Sequence, residues 1–423
     1  MKIKKELYIE HPKPGYAVFI GASYIGTTGL NRIESMCYGH YGRDDLPVEP
    51  KIRYSYDNGI TWTDWQLDSE VVAFEKSNII CGFQPGKVKI GPGFEDPSNG
   101  MHISVELRQT IVKNVENNTY SRYRNHCFWM MSKDKGKTWT EGKLLRYENG
   151  ADLDPDNPLD PNFLENNSMY SGGMISYKGD IIFCATSVNI PKDASHTDPD
   201  GTHGNWWSPS GARDIGSALF IAKWDNNEEI YKWKRSNCVW VPMSVSCRGL
   251  AEGYPAELSD GRILIVWRGS DTPETPGHKW FSISEDGGNT LSQVREMRYD
   301  DGTGFYSPSS IHKFIRHSVN GKLYWIANIC EQPPHGNGPR FPLIIAEIDE
   351  NIPAVKRNTV SIIADREPGD SELLQWSNFN VFENRETHEF ELYMTNLGAK
   401  SPGDDNHEFL YESDSYKFTI KVD

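Results

Sequence analysis

Helical periodicity is scarce in this chain. No segment sustains apolar residues at i, i+3, i+4 and i+7 over three turns, which speaks against a bundle of amphipathic helices. Basic charge is in deficit, with 44 Lys and Arg against 59 Asp and Glu and a net charge of −15. A phosphate backbone needs a basic footprint, so nucleic acid is excluded as a partner. Cysteine is sparse: Cys37, Cys81, Cys127, Cys184, Cys238, Cys247 and Cys330 are scattered, odd in number and without a C-x-x-C pair. That excludes a disulfide framework and a zinc knuckle, and no metal or other cofactor is expected. No run of eighteen apolar residues occurs, so no membrane-spanning helix and no membrane partner are expected. The start, Met-Lys-Ile-Lys-Lys-Glu-Leu, is basic but has no apolar segment after it. As it stands the chain reads as cytoplasmic, with secreted or periplasmic placement open to a chain whose signal has been removed. Long polar tracts are missing too, and nothing specifies an oligomeric state. With 37% hydrophobic and 24% charged residues the chain is globular.

What is present is aromatic and repetitive. There are 13 Trp, 20 Tyr and 17 Phe, which suits β-structure and sugar-binding surfaces alike. The 423 residues alone would suggest two or three domains, closed β folds being the exception. Three segments are near copies of one another: Ser55-Tyr56-Asp57-Asn58-Gly59-Ile60-Thr61-Trp62, Ser132-Lys133-Asp134-Lys135-Gly136-Lys137-Thr138-Trp139, and Ser284-Glu285-Asp286-Gly287-Gly288-Asn289-Thr290-Leu291. Each reads as strand, tight turn, strand: the Asp caps its own turn, the Gly takes positive φ, and the Thr restarts a strand. The aspartates lie 77 and then 152 residues apart, about one period and two.

Apolar hairpins recur between them, at Met174–Phe183, at Ile311–Ile326 around Asn320-Gly321, and at Phe379–Met394 around Asn384-Arg385. Together these signals mark six units beginning near residues 16, 100, 169, 251, 306 and 376. The expected fold is all-β, a six-bladed β-propeller of four-stranded antiparallel sheets, in which radial repetition protects the strand edges. Residues 1–423 then form one domain, with loop insertions near 82–99, 147–168 and 189–213. His196 and His203 in the last insertion lack an evident third ligand and read as solvated loop residues.

The hairpin from Ala251 to Arg268 carries the most chemistry. Asp260-Gly261 is a strong turn signal, and Ile263 to Trp267 is an unbroken apolar strand. A two-residue turn pairs residues whose numbers sum to 521, so Glu252 faces residue 269 and lies beside Arg268. At a bare sheet edge such a pair is worth almost nothing.

Taken with the repeats, this chain resembles the sialidase (neuraminidase) superfamily of six-bladed propellers. The three Ser-x-Asp-x-Gly-x-Thr segments look like its Asp-boxes, which are structural and occur in non-enzymes too. The family also carries a Glu followed, across a D-G-R turn, by an Arg sixteen residues later, as Glu252 and Arg268 are here around Asp260-Gly261-Arg262. The resemblance implies that Glu252 activates the nucleophile and that Arg268 is one of three arginines gripping the substrate carboxylate. Arg340, in Gly338-Pro339-Arg340-Phe341-Pro342, stands where another such arginine is placed, and Asp44 or Asp45, shortly before Asp57, where the general acid is. Two family features differ. In place of the first arginine's R-I-P motif stands Glu10-His11-Pro12-Lys13-Pro14, where Lys13 supplies charge without a bidentate fork. Arg32-Ile33-Glu34-Ser35 has a similar look but lies too close to the first box. In place of the nucleophilic tyrosine's Y-S-D-L stands Trp376-Ser377-Asn378-Phe379, and the tyrosine in a comparable setting is Tyr306, one unit earlier.

Glycosidic cleavage takes an acid at the leaving oxygen and a nucleophile or base on the other face. In sialidases a tyrosine backed by Glu avoids driving an anion against the substrate's own carboxylate. Either Tyr306 serves here with Glu252 as its base, or Glu252 attacks directly, with Glu165 as a second carboxylate. Trp206, Trp207 and Trp376 are candidates for stacking on sugar faces. The implied function is a sialidase-like exo-glycoside hydrolase acting on a terminal acidic sugar of a glycan. The alternatives are an arabinanase-like hydrolase or polysaccharide lyase of the same fold, and a non-catalytic glycan-binding propeller.

Overall fold

A computed structural model describes residues 1–40, 48–67, 72–76, 79–83, 93–114, 119–146, 154, 170–189, 215–242, 244–401 and 411–422. Among them no α-helix occurs; a 3-10 turn lies at Arg357–Thr359. The strands form six antiparallel sheets, and the fold class is the six-bladed β-propeller. Four sheets have four strands, while one has five and one six. Two compact units are distinguished: Met1–Asp68 with Pro276–Lys279 and Met297–Asp423, and Ser69–Thr275 with Trp280–Glu296.

In the first unit one sheet runs Tyr16–Tyr24, Arg32–His40, Val48–Ser55 and Gln66–Leu67. A second is built on Lys313–Arg316, Leu323–Asn328 and Leu343–Asp349. The third joins the two ends of the chain: Lys2–Ile9 pairs with Ser415–Lys421, followed by Phe390–Leu397 and Gln375–Glu383. A buried ionic network supports this unit. Arg32, 3% exposed, lies 2.9 Å from Glu391, which also meets Lys417 at 2.9 Å, and Glu34 takes Arg53 at 2.7 Å and the Tyr8 hydroxyl at 2.5 Å. Arg32 is therefore a structural ion-pair partner.

In the second unit the three sheets are built on His102–Asn114 with Thr119–Ser132, on Tyr170–Tyr177 through Ile230–Arg235, and on Ala251–Glu257 through Arg295–Glu296. The middle strands of the last two of these sheets are buried on both faces. Ile181, Ile182, Phe183, Cys184 and Ala185 are all sealed from solvent, as are Ile263 to Trp267. That is why these strands read as unbroken apolar runs rather than as alternation.

The three Ser-x-Asp-x-Gly-x-Thr turns each link the last two strands of a sheet and share one hydrogen-bond pattern. Ser55 Oγ donates to Asp57 Oδ1 (2.8 Å) and accepts from Gly59 N (2.8 Å), while Asp57 takes both Thr61 N (2.9 Å) and Thr61 Oγ1 (2.5 Å). Ser132, Asp134, Gly136 and Thr138 repeat it, as do Ser284, Asp286, Gly288 and Thr290. These bonds, the Thr61 and Thr138 hydroxyls foremost, hold Asp57 and Asp134 down at about 2.

Five of the six expected starting points fall close to the first regular strand of a sheet or to its leading long strand. The fifth unit starts at Lys313 rather than near residue 306. Tyr306 belongs to a connecting segment that makes only a single bridge, to Cys330.

Candidate functional site

The Ala251–Arg268 hairpin is offset from its expected register. Leu258 N donates to Arg262 O (2.8 Å) and Gly261 N to Leu258 O (2.9 Å), so the loop holds three residues, Ser259 to Gly261. Gly261 alone takes left-handed φ, at 85°, as a three-residue hairpin requires. Pairs therefore run Glu257 with Ile263 to Tyr254 with Val266, and then the register slips: Ala251 pairs with Arg268. Glu252 and Gly253 together oppose Trp267, a β-bulge.

The bulge aims the carboxylate. In a regular strand Glu252 would point away from the face carrying Ala251 and Arg268. Here its backbone is left-handed, φ 45°, which costs about 1–2 kcal/mol for a residue with a Cβ. Its Oε2 lies 2.8 Å from Arg268 Nη1, with both side chains 12% exposed. The contact is one of charge, without the alignment of a hydrogen bond: Glu252 Oε2 and Arg268 Nε are both buried without a hydrogen-bond partner. The Glu252 backbone N–H points to Thr186 Oγ1 at 3.4 Å. Glycine at 253 is obligatory, because a Cβ would sit 2.3 Å from Trp267 Nε1 and 2.6 Å from Cys184 Sγ.

Two further residues surround the pair, and neither was singled out from the sequence. Arg248 is 4% exposed on a turn tied down by Ser246, whose Oγ donates to Gly249 O (2.8 Å) and accepts from Ser270 N (3.0 Å). Burial, and after it the neighbouring Arg268, push the Arg248 guanidinium down to about 10; Cys247, Glu252 and Asp271 pull the other way. Tyr254 is raised above the ordinary phenol range by burial and then by Glu252, so it stays protonated at neutral pH. Their signal in the sequence was proximity alone: an arginine four residues before Glu252 and a tyrosine two after it.

Tyr306, Arg340, Lys13 and Trp376 belong to the first unit. Tyr306 is half-buried, its ring 6.1 Å from that of His278. Its segment is pinned by Lys279, fully buried, which donates to the carbonyls of Pro308 (3.0 Å) and Ser310 (2.7 Å). Arg340 is 8% exposed and donates to Ser309 O (3.1 Å), Asn337 O (3.1 Å) and Gln375 Oε1 (2.8 Å). Lys13 is exposed, its Nζ 4.6 Å from the Tyr16 ring centroid, on a connection fixed by His11 Nδ1 to Asp414 at 2.6 Å. Trp376 corrects an expectation. It is 2% exposed, packed edge-on by Tyr416 and Phe418, and its Nε1 donates to Asp365 O, so no ring face is open for a sugar. Asp44, Asp45, Glu165, His196, His203, Trp206 and Trp207 lie outside the described residues. Among the described residues no group of three His, Cys, Asp or Glu is arranged to hold a metal ion.

No family model matches the chain, and no curated protein does. Solved structures do. A protein of unknown function from Dyadobacter fermentans is similar at a TM-score of 0.58 with 13% identity over 99% of both chains. The NanB sialidase of Streptococcus pneumoniae is similar at 0.54 with 13% identity, over 99% of this chain and 70% of that one. The α-L-arabinofuranosidase Arb93A of Fusarium graminearum scores 0.47 with 12% identity over 99% and 97%. At 13% identity the likeness to NanB is one of fold, the six-bladed β-propeller.

Proposed function

We propose that this protein is a sialidase-like exo-glycoside hydrolase in which Glu252 is the essential carboxylate. The observation that carries the reading is the Glu252–Arg268 pair: a strained, bulge-aimed carboxylate 2.8 Å from a guanidinium at the start of a strand. Strained backbone clusters where function needs it, and bulges re-aim side chains beside active sites. Arg268 holds the carboxylate in one orientation, as a general base or nucleophile requires. Tyr254, kept protonated, is no attacking phenolate at neutral pH. Glu252 then acts as the nucleophile itself or as the base that activates one. A terminal acidic sugar is the proposed substrate, with Arg268 on its carboxylate.

One observation favours a second reading, an enzyme of the same fold acting on a neutral or differently charged sugar as hydrolase or lyase. Arg268 already faces Glu252, and Arg340 already donates to three oxygens of the fold. Screening aryl glycosides and acidic oligosaccharides, with Glu252→Gln as control, tests both. The expected result is turnover that falls about 10²–10⁴-fold in the variant. Turnover of neutral glycosides alone selects the second reading; glycan binding without any turnover overturns both and leaves a binding propeller.

A further inference from the structure

The bulge that aims Glu252 is walled in by the neighbouring sheet, Tyr170–Tyr177 through Ile230–Arg235. Two glycines admit it. Gly172 and Gly173 together oppose Cys184, which makes a second bulge. A Cβ at 172 would sit 2.3 Å from Gly253 O and 2.7 Å from Cys184 O, and one at 173 would sit 2.6 Å from the Tyr254 ring. The two bulges therefore pack backbone to backbone, with no side chain between Gly172 and Gly253 to take up a shift. The direction a side chain at 253 would take is filled by the pyrrole edge of Trp267, with Nε1 at 2.3 Å and Cδ1 at 2.5 Å from a Cβ placed there. Where that ring sits decides where the Gly253 backbone sits.

Ser217 holds the indole. It lies on the strand Ile215–Asp225 of the neighbouring sheet, followed by the buried apolar run Ala218 to Ala222. Its Oγ accepts from Trp267 Nε1 (2.8 Å), donates to Ala185 O (2.7 Å) and lies 3.4 Å from Cys184 Sγ. Ser217 and Trp267 are both sealed from solvent. A buried indole N–H requires its acceptor, so this one hydroxyl fixes the rotation of the ring. The route to the carboxylate is short. Ser217 sets Trp267, Trp267 and Gly172 hold Gly253 between them, and Gly253 follows directly on the left-handed backbone of Glu252. A reacting group displaced by about 1 Å can lose about 10²-fold in rate. We infer that Ser217 is a positioning residue for Glu252, acting through the Trp267 indole. The inference rests on the glycosidase reading for the chemistry of Glu252 and on the geometry for the contact.

The test reads Glu252 directly. The protein is labelled with carbon-13 at its glutamate carboxyls, and the Glu252 resonance is identified by its loss in Glu252→Gln. Ser217→Ala should move or broaden that resonance. Ser236→Ala should leave it in place: its hydroxyl is buried in the same sheet, but it accepts from Leu219 N (2.9 Å) and donates to Asn237 O (2.7 Å) rather than holding Trp267. In a Trp267→Phe background, with no N–H left to hold, Ser217→Ala should add nothing. On any glycoside the wild type turns over, Ser217→Ala should lower kcat about 10–10²-fold and leave KM within about twofold. A resonance unmoved by Ser217→Ala, or moved as far by Ser236→Ala, overturns the positioning role, and so does an unchanged kcat. An equal effect of Ser217→Ala with and without the indole overturns the route through Trp267. If the wild type turns over no glycoside, the glycosidase reading falls and the resonance alone decides on Ser217.

Discussion

At the scale of single residues, Glu252 is where stability and chemistry pull apart. Replacing it with glycine releases a left-handed strain of about 1–2 kcal/mol. The same change leaves Arg268 buried without its anion, which costs about 3–5 kcal/mol. The orphaned cation wins, so Glu252→Gly should lower stability by about 2 kcal/mol despite relieving the backbone. Adding Arg268→Met should restore most of it. Urea unfolding of the single and double variants checks this, and a more stable single variant would show that the pair contributes little. Gly253→Ala should cost about 1–3 kcal/mol, because its Cβ collides with the Trp267 ring and Cys184, and the same unfolding assay reads it. The spacing of Glu252 and Arg268 around a D-G-R turn was legible in the sequence. Arg248 and Tyr254 were not, because only folding the turn around Ser246 and burying the strand bring them to the pair. Trp376 misled because the match at Trp-Ser-Asn-Phe is one of position, and a sequence position does not say which side of a sheet a ring packs against.

At the scale of elements, the Ser-x-Asp turns were legible almost completely, since all their hydrogen bonds are local and each residue type has one task. They also set an acid limit. Asp57 and Asp134 are held at about 2 in the folded state, below the usual carboxylate value. A depressed carboxylate adds stability above its unfolded value, and that contribution disappears as pH falls from about 4 to about 2. The double variant Asp57→Ala, Asp134→Ala should therefore lose less stability than the wild type over this interval. Denaturation midpoints at pH 5, 4, 3 and 2 give the comparison, and parallel curves would contradict it. The hairpin at Asp260-Gly261 was legible as a hairpin but not in register. Type I′ and three-residue loops both accept Asp-Gly, and only the backbone bonds of Leu258 and Arg262 decide between them. The start at Lys313 was missed for a related reason: Tyr306 to Ser310 looks like strand residues, yet buried Lys279 and Arg340 hold it as an irregular segment.

At the scale of the whole molecule, six repeated sheets could be counted in advance because both of their signals, local turns and apolar runs, survive in one dimension. The pairing of Lys2–Ile9 with Ser415–Lys421 could not be, since no local signal links positions at opposite ends of a chain. Removing residues 1–9 should uncover Phe418 and Ile420, which are fully buried, and present a long unpaired strand edge. Size-exclusion chromatography of the truncated protein should show added association, and the melting transition should fall or broaden; an unchanged elution volume and transition would argue that the last sheet stands on three strands. The same pairing constrains how the protein comes into being. Lys2–Ile9 is translated long before Ser415–Lys421 and has no partner until that segment emerges, so this sheet is completed late. Lys2, Lys4, Lys5 and Glu6 keep that waiting segment hydrated, and the final closure, spanning almost the full chain, is set to be the slow step of maturation.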